Sequence, residues 1–159
     1  MNYLTTNQWF DTAFEYAQKK SGCRKVAVGS VITINGIPIA MGANETLPDL
    51  CHSPQGCLRV AKYGNDSKQH RDPADCRAIH SEVDAICAAA KTGVCVDGAT
   101  IYVTRYPCES CARAIVAAGI KTVYYGGTAK ISEQTQDIFE INGVNCYFIE
   151  NWREDHTDK

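Results

Sequence analysis

His80-Ser81-Glu82 and Pro107-Cys108-Glu109-Ser110-Cys111 are the two short segments of this 159-residue chain whose residue types and spacing could do chemistry. Two cysteines three apart at a helix start can both turn toward one ion, and the positive end of the helix dipole favours their thiolates. His80 supplies a third ligand of a kind that zinc accepts. Three protein ligands leave the fourth position of a tetrahedral zinc site to water, which is the catalytic rather than the structural arrangement. Zinc lowers the pKa of that water toward ~7. Glu82 lies two residues beyond His80, in the first turn of the same helix. There its carboxylate can reach the water without competing for the metal, accept a proton and return it to a substrate. Zinc with such a shuttle suits hydrolytic attack on an amidine-like ring carbon.

The chain carries nine cysteines, an odd number for a disulfide framework, and its first residues lack the basic start and apolar stretch of a secretory signal. The expectation is a cytoplasmic protein whose thiols bind metal or fill core space. Cys87, Cys95 and Cys146 sit in apolar patterns and are expected in the core. Hydrophobic residues make up 45% and charged residues 21%, the balance of a folded globular chain. No run of 18 or more apolar residues calls for a membrane span. Net charge is −2 with scattered basic residues, so no nucleic-acid partner is expected and a small-molecule substrate is.

The elements that must position these residues follow from periodicity. Trp9, Phe10, Ala13, Phe14 and Ala17 share one face of a helix over about 6–20, a stripe expected in the core or at a subunit contact. Strand-like runs at 26–34 and 37–41 flank Asn35-Gly36, a strong hairpin signal, and Pro38 marks the second run as an edge. From about 45 to 78 the regular pattern stops. This insertion is broken by prolines and glycines and carries Cys51, His52, Cys57, His70 and Cys76, so a lid or a metal staple is expected there. Order returns as helix 81–91, strand 99–104, helix 109–118, strand 122–125, helix 132–141 and strand 144–149. The implied fold class is α/β: one domain over 1–159, a three-layer α/β/α sandwich on a mixed five-stranded sheet with an N-terminal hairpin and parallel later strands.

The His-x-Glu and Pro-Cys-x-x-Cys pair, with roughly 26 residues from Glu82 to Cys108, resembles the signature of the zinc nucleoside and nucleotide deaminases, the cytidine deaminase-like superfamily. Within it the chain looks most like the phage-type deoxycytidylate (dCMP) deaminases. Val28-Gly29-Ser30-Val31, the Cys/His-bearing insertion, and Gly119-Ile120-Lys121 leading into Val123-Tyr124-Tyr125 carry that likeness. The resemblance implies hydrolytic deamination of dCMP to dUMP, with dCTP as activator and dTTP as inhibitor. It implies substrate contacts from Asn44, Ser81, Lys25, Tyr124 and Arg105, and effector contacts from Lys91 and Asn44, with Mg2+ accompanying the effector triphosphate. It further implies a homo-oligomer, a hexamer by the same likeness, and a structural zinc on Cys23, Cys51 and His70. Cys76 would complete that set, with Cys57 and His52 as competing ligands. The chain departs from the pattern at Asn44-Glu45 and at Asp84, where the family has Asn-Gly and Asn. Two other readings stand beside this one: a deaminase of cytidine, guanine, a riboflavin precursor or tRNA adenosine, and a non-catalytic zinc fold that binds nucleotides.

Overall fold

Residues 5–23, 26–46, 56–64, 76–127, 130–150 and 152 are described in the computed structural model of the chain. Helix α1 spans Thr6–Lys20 and starts with a capping box: the Thr5 hydroxyl accepts from the Gln8 amide while Gln8 Oε1 accepts from the Thr5 amide at 2.7 Å. Its buried face is Trp9, Phe10, Ala13 and Ala17, so the aromatic stripe is core. Trp152 closes over it, 5.0 Å from the Phe10 ring and 6.3 Å from that of Phe14.

Strands β1 (Gly29–Ile34) and β2 (Ile37–Ala43) form the expected hairpin. Asn35 and Gly36 both have positive φ, 51° and 71°, the conformation a two-residue I′ turn demands. A bulge between Ile32 and Thr33 shifts the register on the way to Pro38, which edge strand β2 tolerates because no further strand needs its amide. Between Ala43 and His80 lie a two-residue ribbon, β3 (Glu45–Thr46) against β4 (Ala78–Ile79), and the short helix α2 (Leu58–Tyr63). The ribbon joins the two ends of a stretch that sequence pattern alone left irregular.

Helices α3 (Ser81–Lys91), α4 (Glu109–Ala117) and α5 (Glu133–Ile141) alternate with β5 (Thr100–Val103), β6 (Thr122–Gly126) and β7 (Asn145–Ile149). Sheet order is β2-β1-β5-β6-β7; β1 is antiparallel to both neighbours, and β5, β6 and β7 are parallel. Helices α3, α4 and α5 pack on the face carrying Ile32, Ile101, Val103, Val123 and Tyr125; α1 covers Val31 and Tyr102 on the other. The result is the three-layer α/β/α sandwich. Each fully buried Ile or Val in the central layer stabilises by about 1.5–3 kcal/mol. No helix among the described residues is long and apolar enough to cross a membrane.

Two glycines let helices approach the sheet closely. A Cβ on Gly42 of β2 would collide with the Ser81 carbonyl oxygen and the Ala85 amide of α3; one on Gly29 of β1 would collide with the Ala13 carbonyl of α1. One expectation needs correcting: Cys87 and Cys95 are exposed rather than core. Cys87 lies on the helix face opposite buried Ala85 and Ala89, and Cys95 lies in the loop before β5. Cys146 is half-buried against the core, and burial pushes its thiol up to about 12.

Candidate active site

His80 and Cys108 occupy equivalent places, each the extended residue that begins a helix. His80 (φ −75°, ψ 150°) opens α3 after β4, and Cys108 (φ −82°, ψ 169°) opens α4 after β5; neither side chain caps its own helix. Both side chains are therefore free to turn outward, and α3 and α4 pack side by side. Cys111 follows on the first turn of α4 and is buried, with Cys108 half-buried. The Nδ1 of His80 lies 3.5 Å from Cys108 Sγ and 3.3 Å from Cys111 Sγ. All three ligand atoms fall within 4.8 Å of one another.

These separations fit a metal centre. Tetrahedral zinc with ordinary Zn–S and Zn–N bonds sets sulfur and nitrogen about 3.6 Å apart. The electrostatics agree. Hydrogen bonding from Cys111, then from His80, outweighs burial and lowers the Cys108 thiol to about 3. The Cys111 thiol is pushed up by that same bond and by burial. The His80 imidazole is raised, chiefly by its bond to Cys108. Two sulfurs sharing one proton beside an imidazole are a donor set that a thiolate-seeking divalent ion can take over.

Glu82 is 4% exposed, and burial raises its carboxyl above the usual range. It also interacts with the Cys111 thiol, which sets the acid at the edge of the ligand triad. A buried carboxyl with a raised pKa is suited to moving protons near neutral pH.

The other expected site residues divide. Ser81 is fully buried and donates to Glu82 Oε2 at 3.2 Å. Asn44 is nearly buried and largely committed within the fold: its Oδ1 accepts from Ser21 Oγ at 2.6 Å and from the Val28 amide at 2.8 Å, and its Nδ2 donates to the Val26 carbonyl at 2.8 Å. It clasps the stretch before β1. Asp84 accepts from the Ala43 amide at 3.0 Å and ties α3 to the end of β2. Tyr124 alternates away from Val123 and Tyr125, toward the α1 face, where its ring stacks between Tyr102 and Tyr147 at 5.2 and 5.0 Å. Arg105 lies in the loop before Cys108 with its guanidinium over the Tyr106 ring. Lys91 is exposed at the far end of α3, roughly 13–14 Å of helix from Glu82. Cys23 and Cys76 are half-buried free thiols. Lys25, Cys51, His52 and His70 lie outside the described residues.

Sequence reasoning missed two residues. Ser30 is a fully buried hydroxyl 2.7 Å from that of Ser81. Arg59 of α2 has a buried Nε with no hydrogen-bond partner among the described residues, and its charge acts on His80. An Arg in an irregular insertion carries no local signal, and a Ser in an apolar strand reads as filler.

A mixed five-stranded sheet between helical layers, with a His/Cys/Cys triad and a buried glutamate where two helices begin, defines a deaminase of the cytidine/deoxycytidylate superfamily, a class of hydrolases. The MafB19-like deaminase family model matches residues 4–152, and the chain belongs to that family. It is 36% identical over 151 residues to ComE operon protein 2 of Bacillus subtilis (strain 168), a match covering 94% of this chain and 74% of that one. It is 43% identical over 160 residues to the deoxycytidylate deaminase of Enterobacteria phage T4, covering 82% and 83%. Its fold matches the crystal structure of the dCMP deaminase from cyanophage S-TIM5 in complex with dCMP and dUMP. There the TM-score is 0.69 and the identity 24%, with 94% of this chain and 99% of that chain covered.

Proposed function

We propose that this protein hydrolyses the exocyclic amine of dCMP, giving dUMP and ammonia. The observation that carries the chemistry is the convergence of His80 Nδ1, Cys108 Sγ and Cys111 Sγ beside buried Glu82. The substrate choice is supported by similarity to the phage deoxycytidylate deaminases.

His80, Cys108 and Cys111 would hold the zinc, which when bound supplies the Lewis acidity that makes a water nucleophilic at neutral pH. Glu82 accepts a proton from the attacking water as the C4–O bond forms. It passes that proton to ring N3, then takes the remaining hydroxyl proton and delivers it to the departing amine as the C4–N bond breaks. The carboxyl ends in its starting state, so one water is consumed for each ammonia released. Burial serves this cycle, because a carboxylate of raised pKa takes up the water's proton more readily than one in open solvent. The Nε of Arg59, without a hydrogen-bond partner among the described residues, supplies a cationic donor for the substrate's phosphate.

The finer features follow the resemblance: a second, structural zinc on Cys23, Cys51, His70 and Cys76; activation by dCTP with Mg2+ and inhibition by dTTP; contacts from Lys25, Tyr124, Arg105, Lys91 and Asn44; and a homo-oligomer. The odd count of nine cysteines favours a cytoplasmic location. The deciding experiment measures ammonia release from dCMP, CMP, deoxycytidine, dCTP and guanine by the zinc-loaded protein. Turnover of dCMP well above the others is expected. No ammonia from dCMP alongside turnover of another compound would reject the assignment.

A further inference from the structure

Ser30 and Ser81 take no part in the proton transfers above, yet both are completely buried with their hydroxyl oxygens 2.7 Å apart. Burying two hydroxyls is unfavourable unless they bond, and alanine at both positions would occupy nearly the same space. Ser81 stands between His80 and Glu82, and its Oγ donates to Glu82 Oε2 at 3.2 Å. A hydroxyl has one hydrogen to give. With that of Ser81 committed to the carboxylate, the bond from Ser30 has one direction, and the chain runs from Ser30 to Ser81 to Glu82.

The two ends of this chain differ in how they are held. Ser30 lies on β1, an inner strand, opposite Gly42 of β2 and Val103 of β5. Glu82 lies on the first turn of a helix, and the terminal torsion of a glutamate is broad and roughly two-fold. Besides its own backbone amide and the Cys111 thiol, the Ser81 hydroxyl holds the carboxylate in one of those orientations.

We propose that Ser30 is a positioning residue for the deamination: acting through Ser81, it pins Oε2 of Glu82 and leaves Oε1 as the oxygen that carries the proton. The inference rests on the deaminase reading of the site. A carboxylate that collects protons at one place and delivers them at two others works in one orientation, and the sheet supplies the reference for it.

Ser30→Ala, Ser81→Ala and the double variant test the relay, with zinc content and thermal unfolding measured beside kinetics. Ser30→Ala is expected to lower kcat roughly tenfold or more with KM little changed, as for outer partners of catalytic groups elsewhere. The double variant should be no slower than Ser81→Ala, because the relay is already cut. A crystal structure of Ser30→Ala should show the Glu82 carboxylate turned from its bond with Ser81. If Ser30→Ala does not fold, Ser30→Cys keeps the volume with a weak donor and should show a smaller loss of the same kind. An unchanged kcat, a change confined to KM, or losses that multiply in the double variant would overturn the proposal. Should the wild type turn over a compound other than dCMP, the substrate assignment falls and the same comparison is made on that compound.

Discussion

Replacing Gly42 by alanine puts one methyl group between β2 and the first turns of α3. The new Cβ would lie 2.9 Å from the Ala85 Cα and closer still to the Ser81 carbonyl oxygen and the Ala85 amide nitrogen. An ordinary carbon–carbon contact is about 3.5–4.0 Å, so the shortfall is roughly 1 Å. Every atom in the way is helix backbone and cannot swing aside as a side chain would, so α3 itself must move. Overpacking of this kind costs about 1–3 kcal/mol, which at roughly 2–4 °C per kcal/mol lowers Tm by about 2–12 °C. The helix that moves begins at His80 and carries Glu82, and a displacement of about 1 Å in catalytic groups costs on the order of 100-fold in rate. Gly29→Ala is the matched control, since its Cβ would collide with the Ala13 carbonyl of α1, which carries no site residue. Thermal unfolding, and kcat measured well below either Tm, should show comparable destabilisation in both variants and a much larger kcat loss in Gly42→Ala. A wild-type kcat in Gly42→Ala, or equal kcat losses in the two variants, would refute the argument that β2 sets the position of the catalytic helix.

Further expectations follow from single residues. Glu82→Ala should keep its fold and its metal, by calorimetry and metal analysis, while kcat falls on the order of 10²–10⁴-fold. Arg59→Ala should raise KM for dCMP by about 10–100-fold, the worth of a hydrogen bond to a charged group, and leave KM for deoxycytidine unchanged; equal effects on both would remove Arg59 from phosphate binding. Among the thiols outside the metal triad, alkylation of the zinc-loaded protein near pH 8 should modify exposed Cys87 and Cys95 before half-buried Cys146, read by peptide mass analysis. Burial raises the Cys146 thiol from 9.0 to about 12, so the folded state holds that proton more tightly than the unfolded one. Its contribution is full below pH 9 and is lost as pH rises toward 12, and Cys146→Ala should flatten the fall in stability measured by denaturant titration over that range.

Much of this protein is written locally. Cys108 and Cys111 share a helix start, Glu82 follows His80 by two residues, and Asn35-Gly36 turns the hairpin, so neighbours in the chain decide each feature. Hydrophobic period distinguishes helix from strand in the same way, and the expected elements after residue 80 are those observed. Other features depend on residues far apart in sequence. The imidazole meeting the two sulfurs comes from 28 and 31 positions away, and Ser30 reaches Ser81 across 51. Asn44, expected at a ligand, spends most of its hydrogen bonds on the stretch before β1. Which face receives Tyr124 depends on the parallel pairing of β5, β6 and β7 and on the helices that cover one side. Cys87 and Cys95, apolar by context, reach solvent because α3 turns one face outward and the loop before β5 leaves the core. Spacing along the chain determines which groups one helix turn can bring together. Strand pairing and helix packing decide which groups from distant segments meet them, because those contacts form between surfaces that no single segment contains.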